Sequence, residues 1–343
     1  MNWKMLASSA LLAAALPAAA MAEQAPPPGA PAPAQPEAAQ ATAEKGIEGP
    51  AMPVTIKKWI GQDRTFAIFP NKIFVAGYNI GALRKVVAVG KARGGLFGGG
   101  TSGATSKSEL YADGIDDAML IRIADAAYSD LVFQLKSAGF EVVSLETARA
   151  TAGADKLKLG TPAYSATGEE ILVVGPSATG VRGNTPLAKI EFGSMGTPEL
   201  SMTLQSMVVM PNLAFDFAWA QGNRTLGFTA TSQTGVRFGI NPNHSRMRIF
   251  ATTRKQFLEG DFHYAPDGEF TSDRQFAIIT DTQRSDNRGV RMVNALLGLG
   301  MTARSKQTGF AQIDQKAYEE LALSAAKGWN SAFVAQLRAR TGR

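Results

Sequence analysis

Just past residue 53 the chain alternates between apolar and polar positions. Segments 65–69, 72–78 and 83–89 read as strands on this period of two, with Phe66, Ile68, Ile73 and Val75 facing inward. Glu109-Leu110-Tyr111 reads as a further strand. The period then lengthens: Leu120, Ile123, Ala127, Leu131 and Leu135 recur at spacings of three and four, which predicts a helix over about 116–138. Asp116 or Asp117 is placed to cap it and Gly139 to end it. On its faces Asp125 and Asp130 read as solvent-exposed charges and Tyr128 as a half-buried anchor. A strand at 140–145, a helical turn at 147–152 and a strand at 171–174 follow.

The second half is mostly β by pattern. Segments 200–205 and 213–220 alternate, and in the latter Leu213, Phe215, Phe217 and Trp219 share one face. More strands are expected at 225–231, 235–240, 246–252, 260–264 and 275–280, separated by turns such as Asn241-Pro242-Asn243 and Pro266-Asp267-Gly268. Strands near eight residues fall below the roughly 9–11 that a tilted membrane strand needs, which favours a half-buried sheet over lipid-facing hairpins. Residues 287–301 suggest a short helix. Ala317, Leu321, Ala325, Phe333 and Leu337 predict a C-terminal amphipathic helix over 314–340, capped by Asp314 and bent or broken at Gly328-Trp329. The fold class is therefore α+β: a mixed or antiparallel sheet, one long packed helix and one C-terminal helix. Residues 54–343 are expected to form a single body, with an α/β lobe over 54–180 and a β-rich lobe over 181–343.

Composition separates the N-terminus from that body. Lys4, an apolar run over 5–16 and Ala20-Met21-Ala22 form a secretory leader with cleavage expected after Ala22, which predicts export to a bacterial periplasm or outer membrane. Nine of the 17 prolines lie in the first 53 residues, and segment 23–53 has almost no aliphatic bulk, so a disordered or extended Pro/Ala-rich linker is expected there. Of 35 basic and 29 acidic residues, setting aside Lys4, Lys45, Glu23, Glu37, Glu44 and Glu48 leaves 33 against 25, a net +8 on residues 54–343. The 343-residue sequence contains no cysteine, which excludes disulfides, thiol catalysis and a lipidated N-terminal cysteine.

Candidate chemistry is sparse. The stretch 94–103 holds six glycines but lacks the Gly-Lys-Ser/Thr step of a phosphate loop, so it reads as a hairpin tip with Lys91, Arg93 and Lys107 beside it. No Gly-x-Ser-x-Gly elbow occurs. His244 and His263, with Asp261 near the second, read as surface residues rather than a metal site. The expectation is a non-enzyme with no catalytic, cofactor or metal residues. Arg237, Arg246, Arg248, Arg254 and Lys255 form a basic cluster, a candidate contact for an anionic lipid or glycan surface or for a protein partner. Export and the lack of a recognised module argue against nucleic acid.

The segment 123–132, Ile-Ala-Asp-Ala-Ala-Tyr-Ser-Asp-Leu-Val, running through Leu135 and Ala138-Gly139-Phe140-Glu141-Val142-Val143, resembles the periplasmic α/β unit of the curli-secretion-channel (CsgG-like) family and of TolB N-terminal-like envelope domains. The resemblance covers about residues 70–180, with a further short fragment at 257–264. It implies a non-enzymatic envelope protein, ring-forming or otherwise oligomeric, concerned with secretion or assembly of surface structures through contacts with envelope proteins. The missing cysteine departs from that family's lipoproteins. The alternative class is a soluble periplasmic binding or carbohydrate-interacting protein.

Overall fold

The longest strand organises the molecule. In the computed structural model, which describes residues 45–93, 103–152, 163–164, 170–180, 196–222, 224–226, 231–253, 260–286 and 303–343, β9 (Met207–Gly222) pairs with four other strands. It lies parallel to β2 (Lys72–Val75) and β3 (Asn79–Leu83), and antiparallel to β11 (Ser232–Ile240) and β12 (Arg246–Phe250). Pro211 sits where β9 passes from β2, which pairs with 207–209, to β3, which pairs with 212–215. A residue without an N–H is tolerated at such a gap in the ladder.

Around this strand an eleven-stranded mixed sheet runs β1-β13-β12-β9-β3-β8-β7. It includes β1 (Ile56–Gly61), β13 (Asp261–Pro266), β8 (Ile171–Val174) and β7 (Ala163–Tyr164), with β6 (Glu141–Val142) and β14 (Thr271–Ser272) on side branches. Strands from before and after residue 180 thus interleave in one sheet.

Alternation along β2 assigns the two faces. Ile73 and Val75 join the main core under α2 (Asp117–Ser137) and α5 (Gln315–Thr341). Phe74 and Ala76 join a smaller core with Val208 and Phe250, under α3 (Leu145–Ala152) and α4 (Gly196–Leu204). The long helices match their periodicity. The Asp116 carboxylate accepts from Met119 N at 2.7 Å, and Asp314 accepts from Ala317 N at 3.1 Å. Gly139, at φ +84°, closes the end of α2 as Phe140 N reaches Leu135 O.

A second sheet of five strands runs β10-β4-β5-β16-β15. It joins the hairpin strands β4 (Lys85–Arg93) and β5 (Gly103–Asp113), the hairpin strands β15 (Ala277–Asp286) and β16 (Ala303–Ile313), and the short β10 (Arg224–Leu226). β16 lies parallel to β5 over ten paired residues. The sheet packs on the β9–β11 hairpin, where Ser106 and Ser108 hydroxyls meet Ser232 and Thr234 at 2.8 and 3.2 Å. A Cβ at Gly90 would stand 2.0 Å from Thr231 O, and one at Gly222 2.1 Å from Val89 O, so glycine is what allows these backbones to meet.

Several expectations are corrected. Residues 65–68 form a helical turn, α1 (Thr65–Ile68), because Gln62, Asp63 and Arg64 carbonyls accept from the amides three residues on. Residues 200–204 of the stretch 200–205 belong to helix α4, where Leu200 and Leu204, one turn apart, both reach the smaller core. Only residues 141–142 of the strand expected at 140–145 are extended ladder. α5 continues unbroken through Gly328: the missing side chain admits the Met52 carbonyl, since a Cβ would stand 2.0 Å from that oxygen. The hairpin strands run 9, 11, 10 and 11 residues, so length does not argue against a membrane strand. The expected helix at 287–301 and most of the glycine-rich tip lie outside the described residues.

Residues 45–53, counted with the linker on composition, lie along α5. Met52 N donates to Ser324 O at 3.0 Å, Ser324 Oγ to Pro50 O at 2.9 Å and Lys327 Nζ to Gly49 O at 2.7 Å.

Candidate functional site

Antiparallel pairing of β12 and β13 sets Arg248 opposite His263. Arg248 Nε and Nη2 donate to the two oxygens of Asp261, each at 3.0 Å, and His263 Nε2 lies 3.0 Å from Asp261 Oδ1. Burial alone would raise the Asp261 carboxyl, but the His263 ring beside it and the paired hydrogen bonds from Arg248 hold it below its ordinary range. Arg248 is therefore neutralised inside the protein. Arg246, two residues earlier on the same face, carries its guanidinium 4.2 Å over the Trp59 ring and donates to the Pro242 and Ser245 carbonyls. Trp59 in turn meets His263 edge-on, with ring centroids 6.0 Å apart.

The basic cluster read from sequence is thus not one patch. Arg246 and Arg248 gather with Trp59, Asp261 and His263, whereas Arg237 on β11 reaches toward Glu269 at 3.7 Å. Arg254 and Lys255 lie outside the described residues. Neither histidine is a surface residue: His244 and His263 are 7% and 4% exposed. For His263 the cover includes Trp59, about 200 residues away along the chain, which its polar neighbours in sequence did not indicate. Among the described residues no three His, Asp or Glu side chains gather as a metal-ligand set.

A second cluster lies on the outward face of the five-stranded sheet. Register places Lys85, Tyr111 and Phe310 in one row across β4, β5 and β16, and Val87, Glu109 and Thr308 in the next. Glu109 is only 3% exposed, enclosed by Lys107 Nζ at 2.5 Å, Lys306 Nζ at 3.0 Å and Lys85 Nζ at 3.8 Å. Burial would raise its carboxyl, but hydrogen bonds from Lys107 and Lys306 and the neighbouring positive charges lower it to about 2. Three ammonium groups around one carboxylate leave a net +2. Beside them Tyr111 stacks on Phe310 at 5.6 Å, and Lys85 lies 4.9 Å over Tyr111.

This cluster was hidden from sequence reasoning because Lys306 joins it from almost 200 residues away. The alternation Lys107-Ser108-Glu109-Leu110-Tyr111 was the local signal. The same face exposes Val89, Phe310 and Ile278, the last at 62%. Among the described residues β15 has a paired neighbour on one side only.

The aspartates of α2 serve the fold. Asp130 is buried and accepts from Ile47 N at 2.9 Å, Gln134 Nε2 at 2.7 Å and Asn330 Nδ2 at 2.8 Å, and Tyr78 donates to Asn330 Oδ1 at 2.9 Å. Asp125 accepts from the amide and hydroxyl of Ser177, both at 2.7 Å. Asp130 is therefore not the solvent-facing charge that helix spacing suggested, whereas Asp125 stays partly exposed. Tyr128 is half-buried as expected, with its hydroxyl 3.4 Å from Val75 O.

No described helix is long and apolar enough to cross a membrane. No protein-family model, curated protein or solved structure matches the chain.

Proposed function

We propose that this chain is an exported, non-catalytic bacterial envelope protein that acts in assembly or transport of surface structures through protein contacts, as an oligomer at the outer membrane. The observation that carries the reading is the five-stranded sheet. Two hairpins from distant parts of the chain lie side by side, their inward face closed against β9 and β11. Their outward face offers aromatic, aliphatic and lysine side chains, and β15 leaves one edge without a partner among the described residues. An unpaired edge beside exposed apolar groups is a template for another strand, and a second copy of the chain supplies one repeatedly. The leader pattern at 1–22 and the resemblance over 70–180 support the same compartment and role. The net +2 of the lysine cluster suits an anionic envelope surface or an acidic partner.

The test is envelope fractionation followed by native mass measurement of the exported protein and of Ile278→Glu. A large oligomer in the outer-membrane fraction, weakened by the substitution, is the expected result. A soluble periplasmic monomer, unchanged by Ile278→Glu, would refute the proposal.

A further inference from the structure

The apolar row on β9 ends in a residue that the core does not close over. Leu213, Phe215 and Phe217 are fully buried, whereas Trp219 is only partly covered. Its cross-strand neighbour is Gly235. A Cβ there would stand 2.5 Å from Trp219 Nε1 and 2.8 and 2.9 Å from Cε2 and Cζ2, so the indole rests against β11 in space that any other residue would fill. The ring forms one wall of a groove of about 390 Å³.

The remaining lining is mixed: Arg237, Ser272, Asp273, Arg274 and Gln275 border the groove together with Val236, Phe276 and Ala277. Its two guanidinium groups are not equivalent. Arg274 is held by Glu320 at 2.5 Å, while Arg237 stands 3.7 Å from Glu269, a carboxylate with 78% of its side chain exposed. A surface pair of that kind contributes roughly 0–1 kcal/mol, so a ligand anion can replace it.

A ligand for this groove must present an apolar face to one aromatic wall, many hydroxyls to side-chain donors and acceptors, and a negative charge to Arg237. Drug-like ligands use pockets lined mostly by apolar groups. Extended peptides use a row of backbone partners or successive apolar pockets. Five of the nine lining residues are polar, so the groove is not the mostly apolar kind, and the experiment below separates a saccharide from an acidic peptide. We infer that the groove binds an acidic saccharide. A uronate ring seats its C–H face on Trp219, its hydroxyls meet Ser272, Asp273 and Gln275, and its carboxylate pairs with Arg237.

The experiment is calorimetric titration of the full mature protein with trigalacturonate, with maltotriose as the neutral counterpart and a short poly-glutamate as the acidic peptide. Trigalacturonate is expected to bind and the other two to bind at least about tenfold more weakly. Trp219→Ala is expected to abolish the binding, and Gly235→Ala, which keeps the indole but displaces it, to weaken it about tenfold. Arg237→Gln is expected to remove the preference for trigalacturonate over maltotriose; this substitution is at a half-exposed side chain and leaves the core untouched. No trigalacturonate binding at millimolar concentration, or equal binding by Arg237→Gln and the unaltered protein, would overturn the inference. Stronger binding of poly-glutamate than of the saccharide would overturn it too.

Discussion

Replacing Gly328 by alanine should reverse the sign that helix propensity assigns. In an exposed helix interior, glycine to alanine stabilises by about 1 kcal/mol. At position 328 the new Cβ would stand 2.0 Å from Met52 O and 3.1 Å from both Met52 C and a Val54 methyl. Segment 45–53 must then retreat by more than an ångström. That strains or breaks the bond from Met52 N to Ser324 O, and with it those from Ser324 to Pro50 O and from Lys327 to Gly49 O. At about 0.5–1.5 kcal/mol each, with the exposed ones at the low end, their loss exceeds the propensity gain. Gly328→Ala should destabilise the intact chain by about 1–2 kcal/mol. In a chain beginning at Val54 the obstructing carbonyl is gone, and the same substitution should be neutral or stabilising by up to about 1 kcal/mol. Urea unfolding of the four proteins gives the coupling as a double-mutant cycle. Stabilisation of the intact chain by Gly328→Ala, or no coupling between the substitution and the truncation, would show that segment 45–53 does not rest on α5.

Two further outcomes follow from buried carboxylates. Glu109 has a folded-state pKa of about 2 against an ordinary 4.5, so its contribution to stability is complete above about pH 4.5 and is lost as the pH falls toward 2. That contribution is on the order of 1–3 kcal/mol, reduced by the solvent exposure of Lys107 and Lys306. Glu109→Gln should flatten the acid limb of stability against pH, and an unchanged limb would mean that the lysines do not hold this carboxylate. Asp130→Ala removes the acceptor for Ile47 N, Gln134 and Asn330 at a buried site and should cost about 3 kcal/mol in urea unfolding, against about 1 kcal/mol for Tyr78→Phe. Comparable small losses for both would refute a network centred on Asp130.

What the sequence by itself determined is the α+β class, the two long helices and the alternation of β9. In α2 and α5, 21 and 27 residues long, the apolar spacing repeats over many turns and cannot be mistaken for a period of two. Asp116, Asp314 and Gly139 act on backbone groups within three or four residues, so their capping roles are legible locally. Short elements are different: α1 and α4 are too brief for the two periods to separate, and contact with the core decided them. The sites were decided almost wholly by tertiary structure. Asp130 meets Asn330 and Glu109 meets Lys306 only because strands and helices from opposite ends of the chain pack together. Gly328 looks like a helix breaker until another backbone is seen to need its space. Arg246 and Arg248 have the same charge and lie two residues apart, yet one faces an aromatic ring and the other a half-buried carboxylate. Local spacing fixes which face of an element a side chain occupies, but the partner on that face comes from long-range packing, and the partner sets whether a charge is exposed, paired or buried.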